Sequence, residues 1–129
     1  MAILSKEEAQ AILKKVISYS KADACEVSLN GSNGGNIRYA RNAVSTAGQV
    51  DVMSLSVNST FGKKTGSASI NEFDDASLKK VVSRAEELAA LAPENPEFMP
   101  LLGPQTFQES ATYNATTAAM TPDTRAEMV

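Results

Sequence analysis

Along this chain the spacing of apolar residues switches from three-and-four to two and back again, and each switch marks an element. Ala9, Ile12, Leu13, Val16 and Ile17 recur at helical spacing, with Lys6, Glu7, Lys14 and Lys15 between them. Ser5 and Glu8, three apart, form a capping box at the front, so the pattern predicts an amphipathic helix from residue 5 to about 20. Cys25, Val27 and Leu29 then alternate with Glu26, Ser28 and Asn30, the period of a half-buried strand. Asn30-Gly31-Ser32-Asn33-Gly34-Gly35 reads as a turn that doubles this strand back into residues 36 to about 41.

Ala47-Gly48-Gln49 reads as a second break before a β-rich run from Val50 to Phe61. Apolar residues change phase within that run: Val50 and Val52 share one parity, while Met53, Leu55, Val57 and Phe61 share the other. Either a bulge near Met53 or partial cover on both faces accounts for the change. Gly62-Lys63-Lys64 has the composition of a hairpin turn, and Thr65 to Asn71 makes a fourth strand with Ala68 and Ile70 facing in. The small residues Gly66, Ser67, Ala68 and Ser69 suit a strand on which another element packs closely. Asp74 or Asp75 caps a second helix carrying Leu78, Val81, Val82, Ala85, Leu88 and Ala89, which Pro93 ends.

These elements predict an α+β fold: a two-layer α-β-β-β-β-α sandwich with a mainly antiparallel four-stranded sheet and both helices on one face. The domain spans residues 1–92. Residues 93–129 form a Pro-rich linker, with Pro93, Pro96, Pro100 and Pro104 close together and Phe98, Leu101, Leu102 and Phe107 as anchors on a surface. At the end, Thr121-Pro122-Asp123 carries helix start signals with no stop signal after them, which reads as the truncated start of a middle region.

Composition narrows the chemistry. Twelve basic against fifteen acidic residues leave a net charge of −3, so nucleic-acid phosphates are repelled on average and direct DNA or RNA binding is not expected. Neither a leader-like N-terminus nor an apolar run of spanning length is present, so the chain is expected in the cytoplasm with no membrane partner. The lone Cys25 reads as a small hydrophobe in a reducing compartment, and the sequons at Asn58 and Asn114 as chance matches.

Histidine is absent, which removes imidazole-based catalysis and the usual zinc ligands. Glu72, Asp74 and Asp75 could be imagined as a carboxylate metal site, but acids ahead of a helix serve as its cap. Gly31 to Gly35 lacks P-loop spacing and reads as a turn before an anion cradle. Arg38, Arg41 and Asn42 with Lys63 and Lys64 are the candidate contacts to a peptide or a second subunit, set against the plainer reading of charges that solvate the tips of a sheet.

Ile37-Arg38-Tyr39-Ala40-Arg41-Asn42, then Gly66-Ser67-Ala68-Ser69, then the capped helix from Asp74 to Leu91 and its proline-rich exit resemble, in that order, the N-terminal domain of the TldD/PmbA family. Its members are also labelled modulators of DNA gyrase and are regarded as metallopeptidases or their partner subunits. The resemblance runs from residue 5 to about 107 and into the Thr121 helix start. It implies zinc only for full-length TldD-like members, held by a His-Glu-x-x-x-His helix and a further ligand that no position here matches. No cofactor is expected in this chain, which should be catalytically silent. The resemblance further implies unfolded peptide as substrate of the whole system, and a second TldD/PmbA-type subunit, identical or not, as partner.

The reading is therefore a non-catalytic N-terminal domain of a TldD/PmbA-type peptidase or its partner subunit, contributing to a peptide cleft and to dimer assembly. The alternative is an independent peptide- or protein-binding module that uses an exposed sheet edge. A small stand-alone hydrolase lacks a recognisable catalytic group.

Overall fold

A computed structural model describes residues 4–129. Helix α1 covers Lys6–Tyr19, followed by strands β1 (Ala24–Ala40), β2 (Ala43–Phe61) and β3 (Lys64–Ile70), then helix α2 (Asp75–Leu91). Two short helices follow, α3 (Ala115–Ala118) and α4 (Pro122–Glu127). Among the described residues the sheet has three antiparallel strands in the order β1-β2-β3.

Three strands replace the expected four because Asn30 to Gly35 is not a turn. Residues 24–40 form one continuous strand, and the pairing of Gly31 with Met53, Gly34 with Val50 and Gly35 with Gln49 runs straight through the glycine cluster. Ala47-Gly48-Gln49 likewise lies inside β2 and does not break it. The reversal occurs at Arg41-Asn42, where both residues take left-handed backbone angles (φ 55° and 58°), the geometry of a two-residue hairpin loop that twists with its strands.

No bulge lies near Met53. Register shifts instead beside the tip, where Arg38 faces Thr46 but Tyr39 faces Val44, leaving Ser45 as the extra residue. The Ser45 hydroxyl donates to the Arg38 carbonyl at 3.0 Å across this irregularity.

The phase change in β2 has a different cause. β3 pairs only with Leu55–Phe61, and α1 and α2 cover only this root of the sheet. There Leu55, Val57 and Ser59 are fully buried on one face, whereas Val50 and Val52, further out and on the opposite parity, are exposed. Beyond the root, β1 and β2 continue as a two-stranded arm over residues 30–54, roughly 30 Å of strand contour.

The core joins Val16 of α1 and Leu78, Val81, Val82 and Ala85 of α2 to Leu55 and Val57, which places both helices on one face of the sheet as expected. Burying each of the larger side chains contributes about 1.5–3 kcal/mol. Cys25 is half-buried beside this core. Ile17 turns away from it and is exposed, so the α1 stripe is narrower than its sequence pattern.

Caps set the helix boundaries. Ser5 and Glu8 exchange hydrogen bonds, the Ser5 N–H donating to Glu8 Oε2 at 2.8 Å and the Glu8 N–H to Ser5 Oγ at 3.2 Å. Asp74 accepts from the N–H groups of Ala76 and Ser77, both at 3.0 Å, which fixes it as the cap of α2. Glu86 of α2 receives the Ser20 hydroxyl and the Lys21 N–H, tying the end of α1 down, and the Lys79 ammonium lies 5.3 Å from the centre of the Tyr19 ring.

Candidate functional site

The arm is the feature that packing of the core does not explain. Its helix-side face changes character along its length: Val27 and Leu29 with Leu55 and Val57 at the root give way to Gly31, Asn33 and Gly35 opposite Met53, Asp51 and Gln49. Past them stand Ile37, Tyr39 and Val44. The irregularity at Ser45 brings Val44 opposite Tyr39, onto the face that a regular register would deny it. Tyr39 and Val44 are exposed, at 61% and 43%.

Arg38, Arg41 and Asn42 cluster at this tip, and the twelve residues from Asn36 to Ala47 contain no carboxylate to neutralise the two arginines. Lys63 and Lys64 lie elsewhere, at the β2–β3 turn. Thr46, opposite Arg38, is fifteen residues along β2 from Phe61, opposite Lys64, so roughly 50 Å of strand contour separates the two groups. The five candidate residues therefore form two basic sites and not one patch.

The lysine site is built into the scaffold. Gly62 supplies a positive φ of 58° for the turn, and its N–H donates to Asp23 Oδ2 at 2.8 Å. The Asn95 N–H donates to the Lys63 carbonyl at 3.0 Å, so the exit from α2 passes against the same turn. The hairpin expected at Gly62-Lys63-Lys64 is present. Of the expected surface anchors, Phe98 is half-buried, while Leu101, Leu102 and Phe107 are exposed.

A cleft of about 360 Å³ lies where α3 and α4 approach the arm, between Asn33, Gly35 and Gln49 on one side and Thr117, Met120 and Arg125 on the other. The sequence reading missed it. The signal was there in part, since adjacent glycines within a strand can mark a close approach of another group. Their turn-like neighbours pointed elsewhere.

The acids ahead of α2 are committed to structure. Asp74 caps the helix, Asp75 pairs with Lys15, and Glu72 accepts the Ser77 hydroxyl at 3.0 Å. Hydrogen bonds from Ser77 and Ala76 hold the Asp74 carboxyl below its ordinary range, and those from Ser5 do the same for Glu8. The bond to Asp75 raises the Lys15 ammonium. With no histidine in the chain, and no group of three or more Cys, Asp or Glu among the described residues placed to hold a metal, these side chains do not fit the zinc site that the resemblance attaches to full-length members. No helix of the described residues is long and apolar enough to cross a membrane.

Fold and surface thus define a small α+β domain that carries an extended ribbon. A family profile described as PmbA/TldA metallopeptidase domain 1 matches residues 25–89, from the start of β1 to the last turns of α2, and the chain belongs to that family. Two solved structures share the fold. TldE from Thermococcus kodakarensis superposes with a TM-score of 0.73 at 16% identity, over 89% of this chain and 26% of that one. A protein described as a candidate modulator of DNA gyrase from Bacteroides thetaiotaomicron gives 0.71 at 18% identity, over 98% of this chain and 30% of that one. The chain therefore spans between a quarter and a third of the length of these structures. A search of curated proteins finds no match.

Proposed function

We propose that this chain is the non-catalytic first domain of a cytoplasmic PmbA/TldA-type peptidase, or of its partner subunit, and that its arm walls the path of an unfolded peptide and contacts a second subunit. The observation that carries this reading is the arm itself: a ribbon reaching well past the core, with two arginines and an exposed aromatic at its tip. Its outer strand, β1, is an edge of the sheet, so a row of backbone N–H and C=O groups is open to an extended peptide. Arg41 supports it further. A left-handed backbone disfavours a long side chain by about 1–2 kcal/mol, and such strain, where it persists, is found at working sites.

In this reading the arginines attract carboxylates, either the terminal group of a peptide or acids on the opposing subunit, and the open edge supplies hydrogen bonds that do not depend on sequence. The test is a titration of the isotope-labelled chain with an unstructured acidic peptide, followed by amide shifts. Perturbations concentrated in residues 30–47, with affinity at least tenfold weaker in Arg38→Ala/Arg41→Ala, support the proposal. Saturating peptide that moves only amides of α1 or α2, or binding indifferent to the two arginines, would refute it.

The same free edge favours a second reading, an independent peptide-binding module. Light scattering with the other subunit of such a peptidase separates the two, because a module acting alone needs no second subunit.

A further inference from the structure

Gly35 is extended within a paired strand, a conformation open to any residue, since Gly62 is the glycine with a positive φ among those described. What a side chain there would meet, and have to displace, is the Arg125 guanidinium. A Cβ on Gly35 would stand 2.7 Å from Arg125 Cζ and 3.0 Å from Nη1, so the guanidinium rests directly on the strand backbone. Nη1 also donates to the Met120 carbonyl at 3.0 Å, which closes the segment on itself above the ribbon. Gly35 shares a face with Val27 and Leu29, so this contact lies on the side that α1 and α2 cover at the root.

The helices that deliver Arg125 are four and six residues long. Each is capped, Asn114 Oδ1 accepting the Thr117 N–H and Thr121 Oγ1 the Thr124 N–H, both at 3.1 Å. Helices this short do not persist in water on caps alone, so their order depends on what they dock against. The arm needs a second support as well. Its stretch from Gly31 to Gly35 has little side-chain packing and more backbone freedom than any other part of the sheet.

From these contacts we infer that residues 114–129 are a strap that fixes the direction of the arm, with Arg125 seated on Gly35 as its clasp. Arm and strap order each other. Seated, the strap anchors the ribbon at mid-length and leaves the tip beyond Asn36 to meet a partner; released, it frees the arm to swing about its glycines and opens the cleft of about 360 Å³.

Amide hydrogen exchange on the full chain tests this, read at Ala118 and Arg125, whose N–H groups bond to the Asn114 and Thr121 carbonyls within the strap. Wild type should exchange there at least tenfold more slowly than an unstructured peptide. Gly35→Val and Arg125→Ala should each remove most of that protection, and the double variant should be no worse than either. Gly31→Val is the control on the same strand face, because a Cβ at Gly31 meets nothing within 4 Å. It should exchange like wild type. Val81 and Ala85 in α2 report whether the core is intact, and Gly35→Ala replaces the valine variant if they lose protection. An unprotected strap in wild type, full protection in Arg125→Ala, or equal loss in Gly31→Val would overturn the inference.

Discussion

Gly66 on β3 lies so close to α2 that a Cβ added to it would stand 2.5 Å from the carbonyl oxygen of Ala85 and nearer still to the amide nitrogen of Ala89. Both are backbone atoms, which cannot rotate aside. Gly66→Ala must therefore push helix from sheet, and overpacking of this kind destabilises by about 1–3 kcal/mol. Urea unfolding should show a lower midpoint with an unchanged slope. A loss below about 0.5 kcal/mol would mean that the helix yields easily.

Ser59 makes the opposite case. It is fully buried on the face shared by Leu55 and Val57, and its hydroxyl has no hydrogen-bond partner. Burying such a group costs about 1–3 kcal/mol, so Ser59→Ala should be neutral or stabilising although the site is in the core. Leu55→Ala, four residues away on the same face, should cost about 2–5 kcal/mol. Similar losses from both variants in thermal unfolding would show that Ser59 is satisfied in solution.

Acid should weaken the domain through its two helix caps. The folded-state carboxyls of Glu8 and Asp74 titrate below their unfolded values, so their contribution is complete above the ordinary carboxylate range and fades as pH falls through the folded values. Stability should hold from neutrality to about pH 5 and decline below about pH 4. Lys15 runs the other way: with its ammonium raised by Asp75, its contribution is full below its unfolded value and is lost as pH climbs through the folded one. Melting curves of Glu8→Gln and Asp74→Asn should show a shallower acid limb than wild type. An identical limb in both variants would place the acid sensitivity elsewhere.

At the tip, Arg41→Gly should relax the turn by about 0.5–1 kcal/mol, because glycine takes the left-handed backbone without a side-chain penalty. Since the tip lies outside the core, the gain should appear as local protection: exchange of the Tyr39 and Val44 amides should slow about two- to fivefold, with the global melting point almost unmoved. Faster exchange would show that Arg41 holds the turn through its side chain.

How far the sequence revealed this fold depended on whether side chains or backbone carried the information. Both main helices, their caps and the last strand were legible, because Ser5, Glu8, Asp74 and the stripe from Leu78 to Ala89 act locally. The close approach at Gly66 was legible too, from the run of small residues around it. The long hairpin was not. Asn30 to Gly35 has turn chemistry but is held extended by pairing with β2, whose flanking residues set the register from both sides. The true turn contains no glycine, so Arg41-Asn42 gave no signal. Val50 and Val52 misled for a related reason: apolar alternation reports a buried face, and they lie on the face of the ribbon opposite the helices, where they are exposed.

For the candidate site, composition picked out Arg38, Arg41, Asn42, Lys63 and Lys64 as candidate contacts to a peptide or a second subunit. It could not show that two separate turns hold them, because that follows from strand length. The Arg125 contact joins residues ninety positions apart and was beyond any local pattern.

The central claim, that the arm is the working surface of this domain, is tested most directly by removing it. Joining Ser32 to Val52 through Asn-Gly deletes residues 33–51 and leaves the three-stranded root and both covering helices in place. The shortened chain should unfold at a urea midpoint close to that of wild type, yet bind an unstructured acidic peptide at least tenfold more weakly. Unchanged peptide affinity in a chain that has lost its arm would contradict the account.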